Sequence, residues 1–369
     1  MLQTDSLRHP LQLYQYIHEC LLRQESISLA TVISRSGSGP REVGASIVVT
    51  PGRKTMGTIG GGILEAKVME MAASAISNHR AECRTFFLTE DEVSENGMIC
   101  GGQVEILVDY LDGAHPAVME IIDALLHSEK ERHTCWLVRS IRQTENTSNI
   151  ETGLGLMDEK GCTMGSLYTA HLDMEVFRQQ YRKKEPSLIR YGDARYFVHQ
   201  IDPPETVFIF GAGHIGQELA ALCTFAGFRT VVIDDRQEFA NQERFPAADE
   251  IIVLNSFYNS LSELKINTSA YLVIATRGHA YDQHVLSKVL KTSSRYIGMI
   301  ASRRKREIIF QFLLNNGFSG EDLADIHSPV GLDIGARTPA EIAVSIVAEL
   351  IAVRAGREKR KTGQNNDKL

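Results

Sequence analysis

Apolar positions along the chain recur at two spacings. Leu11, Tyr14, Ile17 and Leu21 follow one another at three and four residues and predict a helix over about 7–23, after which the apolar run at 27–34 reads as a strand. Leu64, Val68, Met71 and Ala75 make a second helical stripe, and Ile215, Leu219, Leu222 and Ala226 a third. Short β-prone runs stand between the helices: 46–50, 81–88, 104–108 and 136–139 in the first half, then 207–210, 230–233, 251–254, 271–276 and 295–300. In the second half these runs alternate with helical patterns from about Asp282 and from about Arg303, which is the signature of a parallel, doubly wound sheet. Thr338, Pro339 and Glu341 form a capping box with proline at the first helical position, so a last helix starts there. Its apolar residues nearly encircle it, which predicts burial.

The clearest single unit is 207–236. Val207 to Phe210 is apolar on both faces, as a buried parallel strand must be, and Gly211, Gly213 and Gly216 follow at once. The first glycine permits a tight turn, the second lets backbone approach a pyrophosphate, and the third lets the helix pack closely on the strand. Gly227 stops the helix, and Asp234 closes the next strand, where a carboxylate can accept a hydrogen bond from a ribose 2′-OH. The unit therefore predicts a Rossmann-type nucleotide grip.

Pro203 and Pro204 in IDPPE mark the junction between an N-terminal α/β domain over 1–200 and the Rossmann-like domain over 207–356, with a linker at 201–206. The strand-like pieces between 151 and 198, with a helix at 174–181, are expected to complete the sheet of the first domain. The polar stretch 357–369 reads as a disordered tail. With 369 residues, 43% of them hydrophobic, two cores are within reach. A formal charge of −7 argues against general nucleic-acid binding. Six cysteines lie scattered without a CxxC pair, the start lacks the layout of a secretory signal, and no apolar run approaches a membrane span; the reducing cytoplasm fits best.

Four further stretches carry candidate chemistry. In SGSGPREVGA, Arg41 offers a planar donor suited to phosphate or carboxylate, although it could equally brace a turn. In GTIGGGILEA, Gly60, Gly61 and Gly62 open a helix whose first backbone N–H groups can bind an anion; the plain alternative is close packing. Glu65 is a ligand contact or merely a complement to the helix dipole. Cys100, beside two glycines at a loop-to-strand junction, is open to a large ligand, against the alternative of a small buried hydrophobe; the other five cysteines suit that alternative. Beyond the Rossmann unit, Arg277-Gly278-His279 and the basic run from Ser302 through Arg303 to Arg306 each follow a strand end, where open α/β sheets take their ligands. A structural histidine and a solvated basic helix face are the alternatives.

Taken together, SGSGPREVGA, GTIGGGILEA, ICGGQVEI, FGAGHIGQELA with VIDDR, ATRGHAYDQ, ASRRKRE and SPVGLDIGARTPAEIAVSIVAE resemble the xanthine dehydrogenase accessory protein family, XdhC/CoxI. The likeness spans most of the chain and is weakest over about 117–196. It implies an accessory domain joined to a Rossmann domain, and a chaperone that holds the molybdenum cofactor, supports its sulfuration with a cysteine desulfurase and delivers it to a molybdenum hydroxylase apoenzyme. On that resemblance Arg41 and Gly60 to Gly62 serve the pterin side. Cys100, in the family's CGG motif, approaches the metal or relays its sulfur. The fingerprint glycines with His214, and Asp234, His279 and Arg303, serve the cofactor or its nucleotide. Such carriers are expected to form homodimers. One departure is Ala301, where glycine is expected before the SRRK motif. The competing reading is an NAD(P)-dependent oxidoreductase using Asp234 and Arg236 for the ribose or its phosphate and His279 as base, for which no acid and base pair is evident. A nucleotide-sensing regulator finds no support in the charge or the motifs.

Overall fold

The computed structural model describes residues 10–37, 41–87, 102–143, 150–167, 185–258, 261 and 264–357. The chain divides into two compact units, Met1–Pro203 and Pro204–Leu369. Cys100 and the helix expected at 174–181 lie outside the described residues, as does nearly all of the tail.

The first unit holds two five-stranded sheets, where the sequence led to one. Strands β1 (Ile27–Ser36), β2 (Ser46–Val49), β3 (Thr55–Gly57), β4 (Glu82–Phe87) and β5 (Gln103–Leu111) are ordered β3-β2-β1-β5-β4. Strands β6 (Cys135–Gln143), β7 (Ile150–Asp158), β8 (Thr163–Gly165), β9 (Ser187–Tyr191) and β10 (Ala194–Ile201) make a separate sheet, β8-β7-β6-β10-β9. The reason is geometric: alternating strands give each sheet an apolar face that a second sheet can cover, and Ile33 and Leu107 of one pack with Ile141 and Phe197 of the other. Helix α1 (Pro10–Leu22) buries the predicted Leu11, Tyr14, Ile17 and Leu21 in the same layer with α3 (Pro116–Lys130). Helix α2 (Gly62–Asn78) covers the outer face of the first sheet with Leu64, Val68, Met71 and Ala75, the stripe that the spacing predicts.

A charged staple joins the sheets. Arg139 of β6, only 1% exposed, reaches across to Asp109 at 3.2 Å and donates to Thr31 Oγ1 at 2.7 Å. Leaving one member of such a buried pair alone costs about 3–5 kcal/mol. A one-residue slip of β6 would turn Arg139 to the other face, so the pair fixes the register of the sandwich.

The second unit is a parallel sheet of strands β11 (Thr206–Phe210), β12 (Arg229–Asp234), β13 (Glu250–Val253), β14 (Ala270–Ile274), β15 (Tyr296–Met299) and β16 (Ile326–His327), ordered β13-β12-β11-β14-β15-β16. Val207, Ile209, Val232 and Val273 face α4 (His214–Phe225) and α8 (Pro339–Arg354), while Phe208, Phe210, Val231 and Leu272 face α5 (His279–Val289), α6 (Arg303–Asn315) and the short α7 (Gly320–Ala324). Both faces are thus covered, which is why these strands read as continuous apolar runs.

Three expectations shift. The α4 stripe sits one residue round, on Gly216, Leu219, Ala220 and Cys223, with Ile215 and Leu222 at its margin. Helix α5 begins at His279, so Asp282 is a buried residue of its first turn. Helix α8 is not buried all round, for Val344 and Ile351 are 48% and 41% exposed.

Candidate functional site

At the carboxyl end of the parallel sheet, β11 runs into Gly211, whose φ of +124° suits only glycine. A Cβ there would stand 2.2 Å from the Ala275 carbonyl oxygen, and one on Gly216 would stand 2.1 Å from that of Gly211. These two glycines press the turn, the helix and β14 together. Gly213 differs: it is the N-cap of α4, no side chain caps the helix, and nothing lies within 4 Å of the place its Cβ would take. Backbone N–H groups at an uncapped helix start with open space in front of it can take an anion. His214, the first helical residue, is exposed beside it.

Asp234 closes β12 as predicted, but its side chain is 1% exposed and turned inward. One oxygen accepts the Ala212 N–H at 2.8 Å and Arg236 Nη2 at 3.1 Å; the other accepts Arg236 Nε at 3.0 Å and the Arg236 N–H at 3.1 Å. Burial pushes this carboxyl up, yet the bonds from Arg236 and Ala212 outweigh it and hold it below the usual carboxylate range. Asp234 fastens the glycine turn to the neighbouring strand. Arg236, committed to Asp234, also lies 3.8 Å over the Phe239 ring.

The next residue, Asp235, has a different partner. Arg277, in the loop after β14, forks onto both its oxygens, with Nη2 to Oδ2 at 2.9 Å. Arg277 also donates to the Tyr281 hydroxyl at 2.9 Å and stacks 4.5 Å over that ring. The loop is anchored from below, where Asp282 accepts the Thr276 hydroxyl at 2.6 Å and its N–H at 3.1 Å and pairs with Lys305. His279 is exposed at the start of α5.

The basic run divides in two. Lys305 and Arg306 turn inward, to the Ile300 and Ser328 carbonyl oxygens at 3.2 and 3.0 Å, while Arg303 and Arg304 are exposed on the first turn of α6, whose N-cap is Ser302. Ala301, where glycine was expected, is buried against the core and holds no open approach. In the final glycine loop, Gly331 donates its N–H to Glu349 at 2.7 Å, and Tyr296 and His327 hold the same carboxylate at 2.6 and 3.0 Å. Burial raises the Glu349 carboxyl, and these three bonds more than reverse it, to about 2.

In the first unit, Gly60, Gly61 and Gly62 have φ of +129°, +74° and +66°, so all three need to be glycine for backbone reasons. Their nest is already filled. Glu65 accepts the Ile59 and Gly61 N–H groups at 3.1 Å each and the Thr58 hydroxyl at 2.6 Å. Arg41 is exposed, its carbonyl accepting from Arg35 at 3.3 Å. Cys20, Cys135 and Cys223 are buried as predicted, with burial pushing the Cys135 thiol up to about 12. Cys162 is exposed. Among the described residues no group of three or more His, Cys, Asp and Glu is placed to hold a metal ion.

Sequence reading missed Asp235, Arg277 as its partner, and the anchoring pair Asp282 and Lys305. The second acid of VIDDR was the available signal for Asp235.

A doubly wound parallel sheet with an uncapped glycine turn at its carboxyl end defines a Rossmann-type domain. Residues 207–350 match the model of the XdhC Rossmann domain and residues 20–87 that of the XdhC and CoxI family. The chain belongs to the XdhC and CoxI family, which implies an accessory role toward xanthine dehydrogenase. It is 27% identical over 338 residues to a Bacillus subtilis protein described as a probable xanthine dehydrogenase subunit, covering 90% of this chain and 94% of that one. An uncharacterized protein of Escherichia coli, YqeB, is 34% identical over 157 residues, which span 42% of this chain and 28% of that protein. A Bacillus halodurans protein solved as a xanthine dehydrogenase superposes with a TM-score of 0.75 at 26% identity, covering 95% of this chain and 98% of that one.

Proposed function

We propose that this protein carries the molybdenum cofactor for a molybdenum hydroxylase of the xanthine dehydrogenase type, keeps it during exchange of an oxo ligand for sulfur supplied by a cysteine desulfurase, and hands it to the apoenzyme. The observation that carries the reading is the open, uncapped turn at Gly213 within a domain of this family. Molybdopterin bears a phosphate, and its dinucleotide forms a pyrophosphate, which are the groups such a turn accommodates. The cradle at Gly60 to Gly62 presents a filled nest, so a phosphate reaches it only by displacing Glu65. The soft thiolate of Cys100 suits molybdenum or its sulfur.

The second unit gives the competing dehydrogenase reading little to work with. Arg236, the candidate for a 2′-phosphate, is held by Asp234. The test is to purify the full chain from a host that makes the cofactor and to measure bound molybdenum and pterin beside NAD(P)H turnover. Retained pterin without turnover, lost on Cys100→Ala, is the expected result. Dehydrogenase turnover without retained pterin would overturn the proposal.

A further inference from the structure

The strand order puts β11 between β12 and β14, and the glycine turn leaves from the end of β11. Asp235 follows β12, and Arg277 follows β14. Their two-pronged ion pair therefore passes across the end of β11, over the ground where an open α/β sheet takes its ligand. The acid usually assigned to the ribose is not free, because both oxygens of Asp234 are engaged within the fold. Among the described residues, Asp235 holds only groups that a ligand can replace: the Arg277 side chain, and Arg236 Nε at a distant 4.0 Å.

Resting on the nucleotide-binding reading above, we infer that the Asp235–Arg277 pair is a latch on the nucleotide cleft, opened by a ribonucleoside diphosphate group that gives its phosphate to Arg277 and its ribose hydroxyls to Asp235. Each half of the latch is chemically matched to one half of such a ligand. A guanidinium fork binds phosphate as it binds carboxylate. A carboxylate released from it accepts from a cis-diol and repels phosphate, which fixes the ligand's direction. Arg277 stays ordered after the exchange, because Tyr281 holds it by a hydrogen bond and by its ring face. Tyr258, 53% exposed and 5.4 Å from Tyr281, presents a flat aromatic face beside it for a base. A molybdopterin monophosphate has no ribose and leaves Asp235 without a partner. The latch therefore selects the nucleotide-bearing ligand.

The full chain, freed of cofactor, is titrated with cytidine and adenosine diphosphates and their 2′-deoxy counterparts. Wild type is expected to prefer the ribose form about tenfold, Asp235→Asn to bring that ratio to about one, and Arg277→Ala to weaken all four ligands tenfold or more. The exchange variant, Asp235→Arg with Arg277→Asp, keeps an ion pair and should melt near wild type yet bind no nucleotide, which a merely structural strap would not produce. An unchanged ribose preference in Asp235→Asn, or nucleotide binding by the exchange variant, overturns the inference. So does a wild type that binds no nucleotide, while the carrier proposal then still stands or falls by retained pterin. Two sources supply the ligand chemistry, and Arg277→Ala separates them. Loss of the dinucleotide cofactor alone, with the monophosphate form retained, identifies the cofactor's own nucleotide end. Retention of both forms, with loss of the free diphosphates, identifies a separate nucleotide. Either supports the latch.

Discussion

Two glycine turns open helices in this protein, and they differ in what occupies them. At Gly60 to Gly62, three left-handed residues curl the backbone into a nest, and Glu65 from the first turn of the same helix folds back to fill it. At Gly211 to Gly216, the carboxylate comes from the neighbouring strand and, of the backbone groups in the turn, takes the Ala212 N–H, leaving the helix start at Gly213 without a side-chain cap. Both sequences read as anion cradles. One is stoppered by its own side chain and one is open, and the difference lies in where the nearest acid is delivered. An acid in the helix's own first turn reaches the nest. An acid on the adjacent strand reaches the base of the turn and fastens it from below.

The contrast is steepest in the glycines themselves. Gly211→Ala drives a Cβ onto a backbone carbonyl at 2.2 Å in a left-handed conformation and should cost about 4 kcal/mol or more, unfolding the second unit in urea before the first. Gly61→Ala has the same backbone problem but open space, with nothing within 4 Å of its Cβ, and should cost about 1–2 kcal/mol. Equal losses would show that the tight contact between Gly211 and β14 is not what holds the turn.

Acid should act next. Asp234 and Glu349, which tie glycine loops at the sheet's end, are both held below the usual carboxylate range. A depressed folded pKa means stability that is present above the unfolded value and is lost as pH falls. For Glu349 the window runs from 4.5 down to about 2, and a window of that width corresponds to about 3 kcal/mol. Thermal melts across it should show a steep loss for wild type and a flatter one for Glu349→Gln. Among the described residues of the first unit, His199 is depressed, lowered by burial and by Arg139 to about 4, so its contribution is lost over a higher window, from 6.5 to about 4.

The smallest effect tests the stopper directly. Glu65→Ala empties the first nest, and sulfate at ten times its dissociation constant should then stabilise that variant by about 1.4 kcal/mol through the first unit. Wild type should show no such gain there. A wild-type response as large as the variant's would mean that Glu65 does not hold the nest against anions.

Much of this was legible in the chain. The alternation of apolar runs fixed the parallel sheet, because a strand covered on both faces has no polar side to show. The helical stripes at Leu11 and Leu64 matched the buried faces, since helix burial repeats with local spacing alone. The second sheet of the first unit was not legible. Its strands look like any others until it is known which partners they pair with, and pairing joins residues as distant as Cys135 and Ile201. The exposed Val344 and Ile351 escaped for a similar reason, because periodicity shows which residues are apolar but not how many neighbours arrive to cover them.

By itself, then, the sequence determined the elements, the family and the glycines whose backbone angles no other residue adopts comfortably. Tertiary structure alone decided which acid fastens the glycine turn and which one pairs with Arg277. Asp234 and Asp235 are adjacent and chemically identical, yet one closes β12 and the other begins the loop after it. One is drawn inward to the Ala212 N–H, and the other meets Arg277 from a strand two places away. That assignment rests on strand order, which is a property of the folded sheet and of no local stretch.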